Sequence, residues 1–324
     1  MVDFTGLRFL YFGSRTSQEE PQKIERLVSL ITQNIINKEE QIKAKNKKID
    51  ELIERELKEN QNPKNSFKYS YPKISEIKLE ARLDTGIYER EFKEINFLIT
   101  NYKGGFLSIG SIKNTFVSGS TPEIYLPSTE DDDYWWIAVA DIEWGLFYKK
   151  IINIRLKESI KNTLKDGDIL ITRKGATVGK MNLFFQTLYK KAFVNEDIKV
   201  LRLDLPMYKK IFLGMFLKNF YGQKQLLNHG SKGTKQGLTN PNILDVIAPN
   251  FSDLKQQEIA KEYYFQIDKN QNLTLENYLQ KETARNQQIG IFQLNMEIFT
   301  LRKKLEEIID KIINETPIEI NLTY

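Results

Sequence analysis

Two long polar stretches, one towards each end of the chain, space their apolar residues in a heptad-like pattern. A helix that polar is marginal in water until its apolar stripe is covered. The first stretch, Pro21 to Asn60, has no internal Gly or Pro and sets Val28, Ile35, Ile42 and Ile49 seven residues apart. Ile24, Ile31 and Leu52 fall on the alternate seam, which Lys38 and Lys45 interrupt. At ~1.5 Å rise per residue, Gln22 to Lys58 makes a rod on the order of 55 Å long. The second stretch steps by three and four through Ile291, Leu294, Ile298, Leu301, Leu305, Ile308 and Ile312. Matched stripes predict an antiparallel helical pair, closed within one chain or between two copies. A plain helical hairpin capping a core satisfies the same pattern.

Between the rods the texture changes. Pro63, Pro72 and the polar run from Asn60 to Asn65 read as a linker, and Glu89 to Tyr102 as a short amphipathic helix carrying Phe92, Ile95, Phe97 and Leu98. Strand-like runs follow at Phe106–Ile109, Trp135–Val139, Ile169–Thr172, Met181–Phe185 and Ile198–Leu203, then a second amphipathic helix from Met207 to Asn228. The fold expected is α+β: one globular domain with a curved β-sheet and flanking helices, plus long antiparallel coiled-coil helices at both ends. The expected divisions are 1–20, a proximal helix at 21–60, a linker at 61–72, the globular domain at 73–252, distal helices at 253–314 and a tail at 315–324. Asp268 to Asn272, a candidate N-cap at Thr274, and Gly290 break the distal region into three helical pieces.

Charge permits a nucleic-acid partner without demanding one: Lys plus Arg is 48 against 43 for Asp plus Glu, a net +5. The run from Lys43 to Lys48 reads as a solvated helix face. The chain has no cysteine, which excludes disulfides and thiolate metal sites and fits a reducing compartment. Met1 to Gly13 lacks the long apolar core of a signal peptide or membrane span, so a soluble, cytoplasmic protein with no membrane partner is expected.

Catalytic constellations are scarce. The single histidine, His229, leaves almost nothing for His-dependent triads or metal clusters, so no catalytic and no metal residue is assigned. Gly175-Ala-Thr-Val-Gly179-Lys180 has three residues between its glycines and Met181 after the lysine, where a phosphate-binding loop needs four and a Ser or Thr. Glu196-Asp197-Ile198-Lys199 could be half of a nuclease carboxylate–lysine site, because a metal-bound phosphodiester needs two acids and a nearby charge. Asp131 to Asp133 reads as a solvated loop. A self-contained nuclease and a helical scaffold without DNA binding are the competing readings.

Binding chemistry is better represented. Thr172 to Lys180 combines Arg173, Lys174 and Lys180 with the Thr172 and Thr177 hydroxyls and two glycines, so backbone amides and cations can approach a phosphate ridge together. Gly230-Ser231-Lys232-Gly233-Thr234-Lys235-Gln236-Gly237 repeats the recipe. Arg, Lys, Gln, Thr and Ser are also the side chains that read base edges in the major groove. The residues expected to face DNA are Arg173, Lys174, Thr177, Lys180, Lys232, Thr234, Lys235 and Gln236, with Ser120, Thr121 and Trp135 nearby. Trp135 and Trp136 are expected to divide between core and surface.

The order of these segments resembles the specificity subunit of type I restriction–modification enzymes, in a form with one recognition domain. Ser118-Gly119-Ser120-Thr121-Pro122 comes first, then Trp135-Trp136-Ile137 with Asp141-Ile142, then Leu164 to Thr172 running into Gly175-Ala-Thr-Val-Gly179. Gly230-Ser231-Lys232-Gly233 and Gln256-Gln257-Glu258-Ile259-Ala260 complete the series, and Glu20 to Ile24 echoes the last of these. The resemblance implies a target-recognition domain that binds one half of a bipartite site on double-stranded DNA. It implies spacer helices that fix the distance between half-sites and dock modification (methyltransferase) subunits. No cofactor is implied in this chain: S-adenosylmethionine, ATP and Mg2+ belong to the modification and restriction subunits. The family usually carries two recognition domains, so the first 20 residues resemble a remnant of a first one. Homodimerisation, or pairing with another specificity chain, would restore the two-fold arrangement.

Overall fold

The structure, a computed structural model, describes residues 19–80, 86–122, 126–127, 134–142, 152–155, 162–187, 191–230 and 237–322. The expected N-terminal segment at 1–20 therefore lies almost wholly outside the described residues. The chain divides into two compact units, one formed by 1–48 with 261–324 and the other by 49–260.

The first helix, α1, runs from Glu19 to Glu59, an uninterrupted rod: Pro21 stands in its first turn, where a proline costs no helical hydrogen bond, and no Gly or Pro follows. It contributes residues 19–48 to the first unit and 49–59 to the second. In the first unit it is joined by α8 (Tyr278–Gln288) and α9 (Ile291–Ile313). Val28, Ile35 and Ile42 are buried on α1, as are Leu27 and Ile31. On α9, Ile291, Leu294, Ile298, Leu301 and Ile308 are buried, while Leu305 and Ile312 are half-buried. Each fully covered Leu or Ile contributes about 1.5–3 kcal/mol, enough in sum to hold helices that water alone would not.

Lys38 and Lys45, interruptions in the apolar seam, are both buried. The Lys38 ammonium donates to Glu297 Oε2 and to Asn286 Oδ1, each at 2.6 Å, and lies 3.5 Å from Glu282 Oε2. Arg285 clamps the same Glu297 from the other side, Nη1 to Oε2 at 2.8 Å and Nη2 to Oε1 at 2.6 Å. Around these charges Asn34 donates to the Tyr278 hydroxyl at 2.8 Å, and Asn286 donates to Asn34 and Asn37 at 3.0 and 2.8 Å. Burial holds Lys38 below its ordinary value against the opposing pull of Glu297. Burial pushes Glu297 up, but the bonds from Arg285 and Lys38 outweigh it and keep that carboxyl below the usual range. Lys45 pairs with Glu262 at 3.0 Å. Contacts with α8 advance together, from Arg26–Glu276 through Asn34–Tyr278 to Lys38–Asn286, so α8 runs in the same sense as α1.

The second unit holds the strands. Two short helices come first, α2 (Ile74–Glu80) and α3 (Arg90–Thr100), and α3 buries Phe92, Ile95 and Ile99. Where one curved sheet was expected, the described residues form two four-stranded sheets and a ribbon. The ribbon pairs β1 (Phe106–Ser108) with β10 (Ile247–Pro249). One sheet is antiparallel in the order β2 (Asn114–Ser118), β9 (Ile198–Leu203), β6 (Ile169–Thr172), β7 (Met181–Leu183). The other follows the order β3 (Leu126–Pro127), β5 (Ile152–Arg155), β4 (Tyr134–Ile137), β8 (Ala192–Val194), with β4 and β8 parallel. Both sheets contribute to one core, where Val117, Leu170, Ile198 and Val200 meet Ile137, Ala192 and Val194.

The single helix expected over Met207–Asn228 is two, α4 (Met207–Lys218) and α5 (Phe220–His229). Asn219 separates them. Its backbone is extended (ψ 162°), and its side-chain oxygen accepts the Tyr221 amide, so it caps the second helix instead of continuing the first. A short helix, α6 (Asn240–Leu244), follows in the globular part, and the distal region starts with α7 (Asp253–Tyr263). Its three long pieces are α7, α8 and α9. Thr274 accepts the amides of Glu276 and Asn277, capping the turn that leads into α8.

Candidate nucleic-acid interface

Sheet corners in the second unit gather the residues singled out from the sequence. At the end of β6, Thr172 is buried, and its hydroxyl donates to the carbonyls of Thr177 and Lys180, closing the 172–180 loop on itself. Gly179 sits at φ +81°, a left-handed turn that L side chains rarely adopt, and its carbonyl accepts Gln223 Nε2 at 3.0 Å. The loop is thus built from backbone bonds, and its cations are left at the surface.

Those cations meet the turn between β8 and β9. Arg173 donates from its backbone amide to the Asp197 carbonyl and from Nε to the Glu196 carbonyl, both at 2.9 Å. Its Nη2 lies 3.3 Å from Asp197 Oδ1, and Lys174 Nζ lies 3.1 Å from the same oxygen. The side chains of Arg173, Lys174 and Asp197 remain 27, 55 and 33 % exposed. Lys199, the next cation along β9, is held below its ordinary value by burial and by the charge of Arg173.

The 118–122 segment reaches the same turn. Ser120 donates its amide to the Val194 carbonyl at 2.9 Å, and the Thr121 hydroxyl donates to Glu196 Oε2. A Cβ on Gly119 would run into the carbonyl oxygens of Val194 and Asn195, so only glycine permits this approach.

The second cationic turn joins from the other side. Lys174 forms an isolated antiparallel bridge with Gly237, and Leu238 donates its amide to the Arg173 carbonyl at 2.9 Å. The two ends of that turn are close, since a Cβ on Gly230 would lie 3.3 Å from the Gly237 carbonyl oxygen. Lys232, Thr234, Lys235 and Gln236 lie outside the described residues.

Of the expected residues, the structure brings together Ser120, Thr121, Arg173, Lys174, Thr177 and Lys180. Trp135, expected nearby, is half-buried, packs against the core shared by the sheets, and donates its backbone amide to the Lys191 carbonyl. It stands on β4, in register with Ala192 of β8. Sequence reasoning missed the role of Glu196 and Asp197, which meet the two cations and Thr121. The signal was present: Asn195-Glu196-Asp197 is a polar turn between two apolar runs. Among the described residues, no group of three or more His, Asp or Glu is placed to hold a metal ion, and no helix is long and apolar enough to cross a membrane.

No protein-family profile matches the chain, and no curated protein gives a significant match. Two solved structures are similar in shape. The HsdS subunit from Thermoanaerobacter tengcongensis is 15% identical at a TM-score of 0.38, the match covering 91% of this chain and 58% of that one. The type I restriction–modification system S subunit from M. genitalium is 11% identical at a TM-score of 0.47, covering 94% of this chain and 62% of that one. The match takes in about three fifths of each of those chains, and both of these neighbours are S subunits of type I restriction–modification systems.

Proposed function

We propose that this chain is a DNA sequence-specificity subunit of a type I restriction–modification system. Its 73–252 region binds one half of a bipartite target, and its long helices dock modification subunits. A second copy, or another specificity chain, supplies the other half-site. S-adenosylmethionine, ATP and Mg2+ act in the modification and restriction subunits, and this chain selects where they act.

One observation carries the reading: the 172–180 loop and the 230–237 turn, separate in sequence, share a base at the Lys174–Gly237 bridge. Two glycine-flanked cationic segments of the sequence thus start from one footing, and the described one presents Arg173 and Lys174 in a way that suits a phosphate edge. The ion pairs of Arg173 and Lys174 with Asp197 are partly exposed, Lys174 the most, so a phosphate or a guanine edge can compete with the carboxylate for either cation.

The decisive experiment is co-purification with the modification subunit, followed by mapping of methylated bases and a footprint on duplex DNA. A bipartite methylated motif supports the reading. Magnesium-dependent cleavage by the purified chain alone, abolished on changing Asp197, would replace it with a nuclease. A stable complex with no footprint would reduce it to a scaffold.

A further inference from the structure

Glu196 does not fit a surface made only to hold phosphates. It is exposed, between Thr121 on one side and Arg173 on the other. The hydrogen bond from the Thr121 hydroxyl, and then one from its own backbone amide, keep its carboxyl below the usual range, so it is an anion at neutral pH. Among the described residues it forms no ion pair; the carboxylate that neutralises Arg173 and Lys174 is Asp197. Thr121 engages Oε2, and the four lone-pair sites of a carboxylate leave room for an incoming donor beside these two bonds.

A bare carboxylate facing a phosphate ridge is repelled by it. It is tolerated on a DNA-binding face where it meets a hydrogen-bond donor, and in the major groove those donors are the amino groups of cytosine N4 and adenine N6. Adenine places the N7 acceptor beside its amino group, so a second carboxylate oxygen is repelled there. Cytosine places only a C–H beside N4. The chemistry of Glu196 therefore selects cytosine.

We propose that Glu196 is a specificity-determining residue that accepts a hydrogen bond from the N4 amino group of a cytosine in the recognised half-site, with Thr121 as the positioning residue that aims it. The inference rests on the DNA-binding reading above and names what that surface reads.

The test uses the chain in complex with its modification subunit and compares wild type, Glu196→Gln, Thr121→Val and Lys174→Ala. Methylated motifs are mapped, and binding is titrated against salt on duplexes carrying each base at every position. Glu196→Gln is expected to weaken binding about 5- to 150-fold only where one motif cytosine is present, and to relax or shift that position towards adenine, which the amide pairs bidentately. Its salt slope stays that of wild type, because no phosphate contact is lost. Thr121→Val gives a smaller loss at the same position, and Lys174→Ala weakens all sequences alike. An unchanged motif in Glu196→Gln, a loss spread evenly over all sequences, or a wild-type half-site without a G·C pair overturns the assignment. Wild-type chain that leaves no footprint and directs no methylation overturns the DNA-binding reading itself, and this inference with it.

Discussion

Two clusters in this molecule use the same ingredients, two cations and two carboxylates, to opposite ends. In the first unit Lys38, Arg285, Glu282 and Glu297 have side chains between 0 and 6 % exposed. In the second, Arg173, Lys174, Glu196 and Asp197 stand at the surface. Water decides the difference. Buried charges have given up hydration and must keep their partners, whereas exposed charges trade partners at nearly no cost. The buried cluster is suited to fixing how helices align, and the exposed one to meeting something new.

Breaking the buried cluster has the largest expected effect. Lys38→Ala strips two carboxylates of a buried partner and should cost about 3–5 kcal/mol, read as lost amide-exchange protection in α8 and α9. Replacing all four charges together (Lys38→Met, Glu282→Leu, Arg285→Met, Glu297→Leu) should return most of that stability while loosening alignment. The chain has no cysteine, so an Asn37→Cys, Asn286→Cys pair reports alignment cleanly. Efficient cross-linking in the native background and scrambled cross-linking in the apolar one is the expected result; equal yields would reduce the cluster to filler.

Arg173→Ala comes next. It should cost about 1–3 kcal/mol of discrimination at one base position while leaving the thermal midpoint nearly unmoved. A stability loss as large as that of Lys38→Ala would erase the contrast between the clusters.

Acid probes the buried cluster directly. Glu297 has a folded value below its unfolded one of about 4.3, so its contribution is present above that pH and is lost as pH falls through the lower, folded value. Exchange protection in α8 and α9 should therefore fall on acidification below about pH 4, and the step should vanish in the apolar variant. The smallest effect belongs to Lys174→Ala: within about 0.5 kcal/mol in stability, and a decrease of about 0.9 in the salt slope of DNA binding.

Legibility followed the range of the interactions. A rod with no Gly or Pro after Pro21 was readable as α1 because every rule involved is local, and β6 and β9 matched their apolar runs. The break at Asn219 was hidden because apolar spacing continues through it, while the cap that creates it is one side-chain bond. Lys38 looked like a flaw in a seam because Asn286 and Glu297, its partners, stand 248 and 259 residues away. Division of the strands between two sheets was equally invisible, since β3 and β8 are too short to show alternation. At the candidate interface the cations and hydroxyls were legible by composition, whereas the turn that organises them, Glu196-Asp197, resembled half of a different site.

The near-contact of Gly230 with Gly237 has an evolutionary consequence. A segment whose two ends already meet can be lengthened, shortened or exchanged without moving the scaffold that holds it, because doubling a loop costs only about 0.6 kcal/mol in closure entropy. Such a pinched neck lets a handful of codons be edited while the residues that hold its two ends stay as they are.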